Sequence, residues 1–416
     1  MSPEAVLVKK LVYGGYGLAE DKNRTLFIEY ALPGELVEVE KLKEKKDYTI
    51  AKIKRVILPS SERRDPPCPY YGSCGGCQLQ HASYGLQIRA KEEILLETIR
   101  RIGKVEVKGL DGSIYGEEFG YRVKVQFKVS GGKLGFFERK SHRLVEIEEC
   151  LVAHPAINGL IPALKELSKR VKGLKEIHVL YSPSDDELLI KLLSEEPMGR
   201  EKFKKLMDDV LPVNVCGVGF YYMGQKVYLK GRDFTFFLIG PYRYRVSMDS
   251  FIQVNYMLWE RFVKGAVPED RYRKVLELHC GIGFFSLFLS EKSEHVQAYD
   301  SNRSAIKDAE YNARLNKVAN VSFGHLTSQE ALKKHGGDIF DLIFLDPPRS
   351  GLSSGEAKLI LANKPRDIVY VSCEPSTLAR DLKVLVKGGY RLKSLLMVDN
   401  FPNTYHMEAI AKLSLE

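Results

Sequence analysis

Cys373 stands in VYVSCEPSTLARD, where an apolar β-branched run stops and Pro375 opens what reads as a helix. A thiol at a helix N-terminus is drawn towards the thiolate, and Arg380 is a candidate further stabiliser. Glu408, in FPNTYHMEAIAKL, sits among apolar residues that read as the last strand. Burial raises a carboxylate towards the strength of a general base. A sulfur nucleophile with a carboxylate base suits covalent catalysis completed by removal of a proton.

A second group of residues suits a nucleoside ligand. VLELHCGIGFF carries Gly281 and Gly283 at the end of a buried run, so the backbone can pass close to a ligand before a helix begins. Asp300 ends the next strand-like run, where an acidic side chain can take ribose hydroxyls. One short Gly-x-Gly without a pyrophosphate fingerprint favours S-adenosylmethionine over NAD. Asp346, in Asp346-Pro347-Pro348-Arg349, places a carboxylate over the same crevice, on a loop that two prolines stiffen.

Cys68, Cys74 and Cys77 follow a C-x5-C-x2-C pattern within a Gly/Pro-rich loop, and Cys150 ends a strand-like run far downstream. Thiolates are soft ligands for zinc or iron–sulfur clusters, and spacing leaves both open. Four protein thiolates would close every iron of a cluster, giving it a structural or redox role.

These residues need a scaffold of several domains. The chain has 416 residues, 44% of them hydrophobic, which excludes disordered and collagen-like classes. It has no apolar run long enough to span a membrane and no signal-peptide layout at its start, so a soluble cytoplasmic protein is expected. The net charge of +9 permits an anionic partner without demanding one. Seven cysteines in such a chain argue for metal or catalytic use rather than a disulfide framework. Gln occurs 8 times, while Lys and Glu are abundant, a bias of heat-adapted proteins.

Residues 1–60 read as short strands separated by turns at Gly-Gly, Asp21-Lys22-Asn23 and Pro-Gly, fitting a small antiparallel barrel of oligonucleotide-binding type. The turn YGGYG, from Tyr13, suits base stacking or a plain hairpin equally. Residues 61–249 read as a central α+β domain. An amphipathic helix over 83–103 shows Leu86, Ile94, Leu95, Ile99 and Ile102 on its apolar side and stops at Gly103. YRVKVQFKV then alternates, and seven Lys/Arg against one acidic residue over 121–145 make a solvated face or a phosphate-binding row. From residue 250, Asp249 or Ser250 is placed to cap a helix over FIQVNYMLWERFVKG. Strands and helices then alternate as in a Rossmann-like α/β domain with a parallel sheet, which binds ligands at the carboxyl ends of its strands.

Taken together, the cluster cysteines, GFFERKSHRLVEIEEC, DSFIQVN, LELHCGIGFFSL, LDPPRSG, VSCEPSTLARD and FPNTYHMEAI resemble the iron–sulfur branch of the RNA uracil-C5 methyltransferase family. The resemblance spans roughly residues 68 to 410, and the N-terminal part is similar to that family's small TRAM-like RNA-binding barrel. It implies a class I methyltransferase domain over 250–416 and helix 82–105 packed upon it. It further implies Cys373 as nucleophile, Glu408 as base, and Gln253, His279, Asp300 and Asp346 contacting cofactor or uracil. Cys68, Cys74, Cys77 and Cys150 would hold a 4Fe–4S cluster. Two positions depart from the family's pattern: Phe284 stands where Asn is common, and His279 where an aromatic is.

The resemblance thus implies a monomeric enzyme that transfers a methyl group from S-adenosylmethionine to uracil C5 in RNA. tRNA uridine 54, in the T-loop, is favoured, with a 23S rRNA uridine as the alternative. A related cytosine-C5 family usually carries a second cysteine where Arg349 stands, so uracil is favoured. A non-catalytic RNA-binding or redox protein would keep the barrel and cluster cysteines but need neither Cys373 nor Glu408.

Overall fold

The computed structural model describes residues 5–22 and 24–416, and they form sheets of six, seven, two and eight strands. The first sheet takes Ala5–Leu7, Lys10–Val12, Tyr16–Asp21, Arg24–Glu29, Leu36–Glu44 and Tyr48–Leu58. The run AVLVKKLVY is two strands, because the Val8 amide donates to Glu35 O and the Lys9 amide to Leu18 O, switching partners within two residues. The expected all-antiparallel pairing needs correction, since Arg24–Glu29 pairs in parallel with Tyr48–Leu58. Residues 1–4 of the expected N-terminal barrel, and Asn23 of the expected Asp-Lys-Asn turn, lie outside the described residues. Val6, Val8, Ala19, Leu26, Ile28 and Val37 close this part's small core.

The seven-stranded sheet is built around Lys124–Ser130 and Leu174–Ser182, which pair antiparallel. The alternation read in YRVKVQFKV is present: Tyr121, Val123, Val125 and Phe127 are buried. The opposite face is already committed. Lys128 is 2.5 Å from Glu176, Lys124 Nζ donates to Ser250 O at 2.8 Å, and Arg122 Nε donates to Lys124 O at 2.9 Å. Each of these three cations thus has at least one contact within the protein.

The helix after the cysteine loop runs Tyr84–Thr98, capped by Ser83, whose hydroxyl accepts from the Leu86 amide. It continues as a π-helical turn over Ile99–Gly103 and ends at left-handed Lys104. The wider turn rotates the following residues out of helical phase. That is why Ile102, expected on the apolar side, is exposed. Ile88, Ile94, Leu95 and Ile99 pack in one cluster with Leu276, Leu278 and Leu345 of the C-terminal sheet.

That sheet has the order Val321–His325, Ser293–Asp300, Tyr272–Leu278, Leu342–Leu345, Asp367–Ser372, Glu408–Leu415, Tyr390–Val398 and Gly112–Ile114. The order reverses between Tyr272–Leu278 and Leu342–Leu345, which opens a crevice at their carboxyl ends. The expected wholly parallel sheet is corrected by Glu408–Leu415, which inserts antiparallel to both neighbours. The expected helix over 251–265 is also shorter. Tyr256–Leu258 is a 3-10 turn and the α-helix runs Trp259–Ala266. The preceding residues are held extended, because the Val123 amide donates to Val254 O and the Tyr256 amide to Tyr121 O. Asp249 and Ser250 cap nothing here: Asp249 accepts from Lys191 and Tyr221, and Ser250 Oγ donates to Asp308.

Candidate active site

The antiparallel last strand decides the geometry. Parallel strands bring only their carboxyl ends to the crevice, whereas an antiparallel neighbour brings its first residue there. In the register Ser372 faces Ala409, so Glu408 lies beside the end of the strand that delivers Cys373. Glu408 is 4% exposed, and burial with the nearby Asp346 carboxylate pushes its pKa well above the usual carboxylate range. Arg349 pulls the other way on both Glu408 and Cys373.

Cys373 corrects one expectation. Its thiol is pushed up to about 12, by burial first and then by Glu408, so the helix N-terminus does not leave it as a thiolate. Arg380 does not stabilise it either. Its guanidinium is bound to Asp381 and to the carbonyls of Ser350 and Leu352, and the cation that lowers the thiol pKa is Arg349.

The Gly-rich turn lies at the same end of the sheet. Gly281 has φ +55° and Gly283 φ +80°, and a Cβ added at Gly281 would meet nothing within 4 Å. Open space above a left-handed glycine is room for a ligand. The Gly281 amide donates to one Asp300 oxygen at 2.9 Å and the Asn302 amide to the other at 2.7 Å, fixing that carboxylate at the rim. Asp346 is raised to about 7 by burial and Asp300, and Glu277, bonded to Ser286 Oγ, to about 8. Two carboxyls held this far up suit a cationic ligand, whose charge would favour their ionised forms. His279 is also left-handed, at φ +64°, and burial lowers its pKa. Phe284 is buried against Phe262 and Phe285, so it serves the core. Gln253 enters from the other side: its Oε1 accepts from Asn400 Nδ2 at 2.9 Å.

Asp399–Met407, the segment leading into Glu408, is pinned by buried polar contacts. Lys91 Nζ is 2.5 Å from Asp399 Oδ1 and 3.2 Å from Phe401 O. Gln87 Nε2 donates to Asn403 Oδ1, and the Asn403 amide donates back to Gln87 Oε1. The amides of Gln78 and Leu79, just past Cys77, both donate to Asn403 O. Cys68, Cys74, Cys77 and Cys150 all line one cavity of about 270 Å³. Among the described residues, no three His, Cys, Asp or Glu side chains stand close enough to hold a single metal ion.

A family model described as tRNA (Uracil-5-)-methyltransferase matches residues 84–415. The chain belongs to this family. An RNA methyltransferase of Aquifex aeolicus is 48% identical over 420 residues, covering 100% of this chain and 99% of that protein. One of Thermotoga maritima is 33% identical over 438 residues, covering 99% and 98%. The fold is that of the Pyrococcus abyssi tRNA (uracil-54, C5)-methyltransferase solved with S-adenosyl-L-homocysteine, at TM-score 0.78 and 24% identity over 99% of this chain and 100% of that one. The protein is thus an RNA (uracil-C5)-methyltransferase. Among the described residues, no helix is long and apolar enough to cross a membrane.

Sequence reading missed Arg349 as the cation of the site, and missed the Lys91–Asp399 and Gln87–Asn403 pairs behind it. A signal was present: DNFPNTYH is too polar for a segment inside a core unless each group has a partner.

Proposed function

We propose that the enzyme methylates C5 of a uridine in the T-loop of tRNA, uridine 54, through a transient bond between Cys373 and C6 of the base. The observation that carries this reading is the antiparallel register that sets Glu408 against the end of the Cys373 strand. S-adenosylmethionine, when bound, supplies a methyl group on a positively charged sulfur. Cys373 gives up its proton to solvent and its sulfur adds to C6, the C5–C6 π electrons shifting to leave an enolate over C5, C4 and O4. C5 would take the methyl group, whose bond to the sulfonium breaks with the electron pair left on that sulfur. Glu408 then removes the C5 proton, the S–C6 bond breaks, and Cys373 is regenerated as a thiolate. Arg349 favours both the thiolate and the ionised base. Gln253, His279, Gly281, Gly283, Asp300 and Asp346 are assigned to cofactor and base.

The reading includes a 4Fe–4S cluster held by Cys68, Cys74, Cys77 and Cys150. Four thiols spread around a cavity of about 270 Å³ suit a cluster of several atoms. A lone zinc needs all four sulfurs within about 2.3 Å of one point. The cluster is structural: its loop holds Asn403, and Asn403 holds the approach to Glu408. The reading divides the chain into an RNA-binding barrel (1–60), a cluster domain (61–249) and a catalytic domain (250–416). The tRNA assignment draws on the Pyrococcus abyssi protein and on the Lys/Glu-rich, Gln-poor composition.

The test offers tRNA and 23S rRNA transcripts side by side, with 5-tritiated uridine. Wild type releases tritium from tRNA, Cys373→Ala releases none, and Glu408→Gln accumulates a covalent protein–RNA band on denaturing gels. Release from rRNA alone overturns the tRNA assignment, and normal turnover by Glu408→Gln overturns the base assignment.

A further inference from the structure

Beside the catalytic pair lies a cleft of about 550 Å³ that none of the steps above uses. Four stretches far apart in sequence wall it: Tyr13 and Tyr16 of the YGGYG turn, Gln78, Arg139, and Tyr405 with His406. It adjoins the reaction at two points. Tyr13 Oη donates to Glu374 Oε2 at 2.7 Å, one residue past Cys373, and His406 precedes Glu408 by two residues.

Its walls combine flat rings with unused hydrogen-bonding atoms. The Tyr405 and His406 rings lie 4.0 Å apart at a tilt of 39°, Tyr13 meets Tyr405 edge-on at 5.2 Å, and the Arg139 guanidinium lies over Tyr16 at 4.6 Å. Gln78 Oε1, Arg139 Nη1 and His406 Nδ1 are buried and make no hydrogen bond, although Arg139 Nη1 stands 3.7 Å from Glu29. Gln78 is 4% exposed, and its Nε2 is spent on Gly75 O at 2.8 Å, so the amide is fixed with its oxygen unpaired. Burial and Arg349 lower His406 to about 4, so it is a neutral imidazole near pH 7. Buried polar atoms without partners are uncommon in native proteins, and two such atoms, Gln78 Oε1 and His406 Nδ1, at one cleft suit a ligand that completes them. One acceptor, one donor and one imidazole nitrogen beside aromatic faces match the edge and the face of a nucleobase. A phosphate would leave Gln78 Oε1 unpaired.

We propose that this cleft takes one unpaired nucleobase next to the target uridine, so that the enzyme reads a neighbour of the base it modifies. This rests on the RNA-methylating function proposed above. A base held there would anchor the strand on one side of the extruded uridine and set the sequence preference.

The test uses stem-loop RNAs in which each nucleotide flanking the target uridine is made abasic in turn. Methyl transfer is measured with wild type, Arg139→Ala, His406→Ala and Tyr16→Ala. For wild type, one abasic position is expected to raise KM by about tenfold, the scale of one stacked base. The variants are expected to raise KM on intact RNA by a similar factor and to lose sensitivity at that one position. Loss of sensitivity in any one variant supports the proposal. Independent effects in all three, or a wild type indifferent to every flanking base, overturn it while leaving the methylation reading intact. Failure of wild type to methylate any of these RNAs overturns that reading and the cleft assignment with it.

Discussion

Replacing Lys91 with methionine tests how the approach to the catalytic base is held. The Lys91 and Asp399 side chains are 1% and 0% exposed and 2.5 Å apart, and Lys91 Nζ also donates to Phe401 O. Methionine fills nearly the same volume and removes the charge. Asp399 is then a buried carboxylate without its cation, a change that costs about 3–5 kcal/mol. Against a stability of about 5–15 kcal/mol, that is a large share of the whole. Urea unfolding followed through Trp259, the single tryptophan, reads the loss as a lower midpoint. The double variant Lys91→Met/Asp399→Leu recovers at least half of it, because no charge is then left unpaired. Methyl transfer by Lys91→Met, measured where the variant is still folded, falls more than tenfold, because residues 399–407 no longer fix Glu408. A Lys91→Met midpoint within about 1 kcal/mol of wild type, or a double variant no better than the single, would refute the argument that a desolvated ion pair holds this segment.

Other outcomes follow from the same structure. Cys373 is raised to about 12, so its thiolate fraction grows with pH, and single-turnover methyl transfer is expected to rise by about tenfold per pH unit from 6.5 to 8.5; a flat profile excludes thiol ionisation as the limiting event. Asp346 has a folded pKa of about 7, above its ordinary value, so the ligand-free protein loses stability as pH climbs from roughly 4 to 7 while the carboxyl ionises in a buried site. S-adenosylmethionine brings a cation, so it should raise Tm more at pH 8 than at pH 6, and equal increments count against the assignment. Gly283→Ala would bring a Cβ 3.3 Å from Phe323 at φ +80° and should lower Tm, whereas Gly281→Ala, strained at φ +55° but facing open space, should lower Tm less and weaken S-adenosylmethionine binding; calorimetry with thermal melts separates the two. Anaerobic reconstitution with iron and sulfide should give a brown protein, and Cys77→Ser should lose the colour and some tritium release while still binding S-adenosylmethionine.

Much of this was legible before any coordinates. Strand and helix runs from 272 onward were readable because buried parallel strands are short apolar runs between polar helices, and Gly281, Gly283 and Asp300 sit at predictable strand ends. The antiparallel last strand was not, since orientation depends on which neighbours leave a gap in the sheet, and no local pattern records that. The thiol of Cys373 was misjudged for a similar reason. A helix N-terminus is visible in sequence, whereas the desolvation and the Glu408 carboxylate that outweigh it come from a residue 35 positions away. The Trp259–Ala266 helix was overextended because extended pairing with residues 121–123 overrode local propensity.

Glu408 begins an inner strand with hydrogen-bonded neighbours on both sides. A carboxylate mounted on such a ladder has no hinge, so whatever travel the reaction requires falls on the nucleic acid. An RNA whose loop is already open should therefore be turned over faster than one that must first melt, and stiffening the RNA should slow the enzyme more than stiffening the protein.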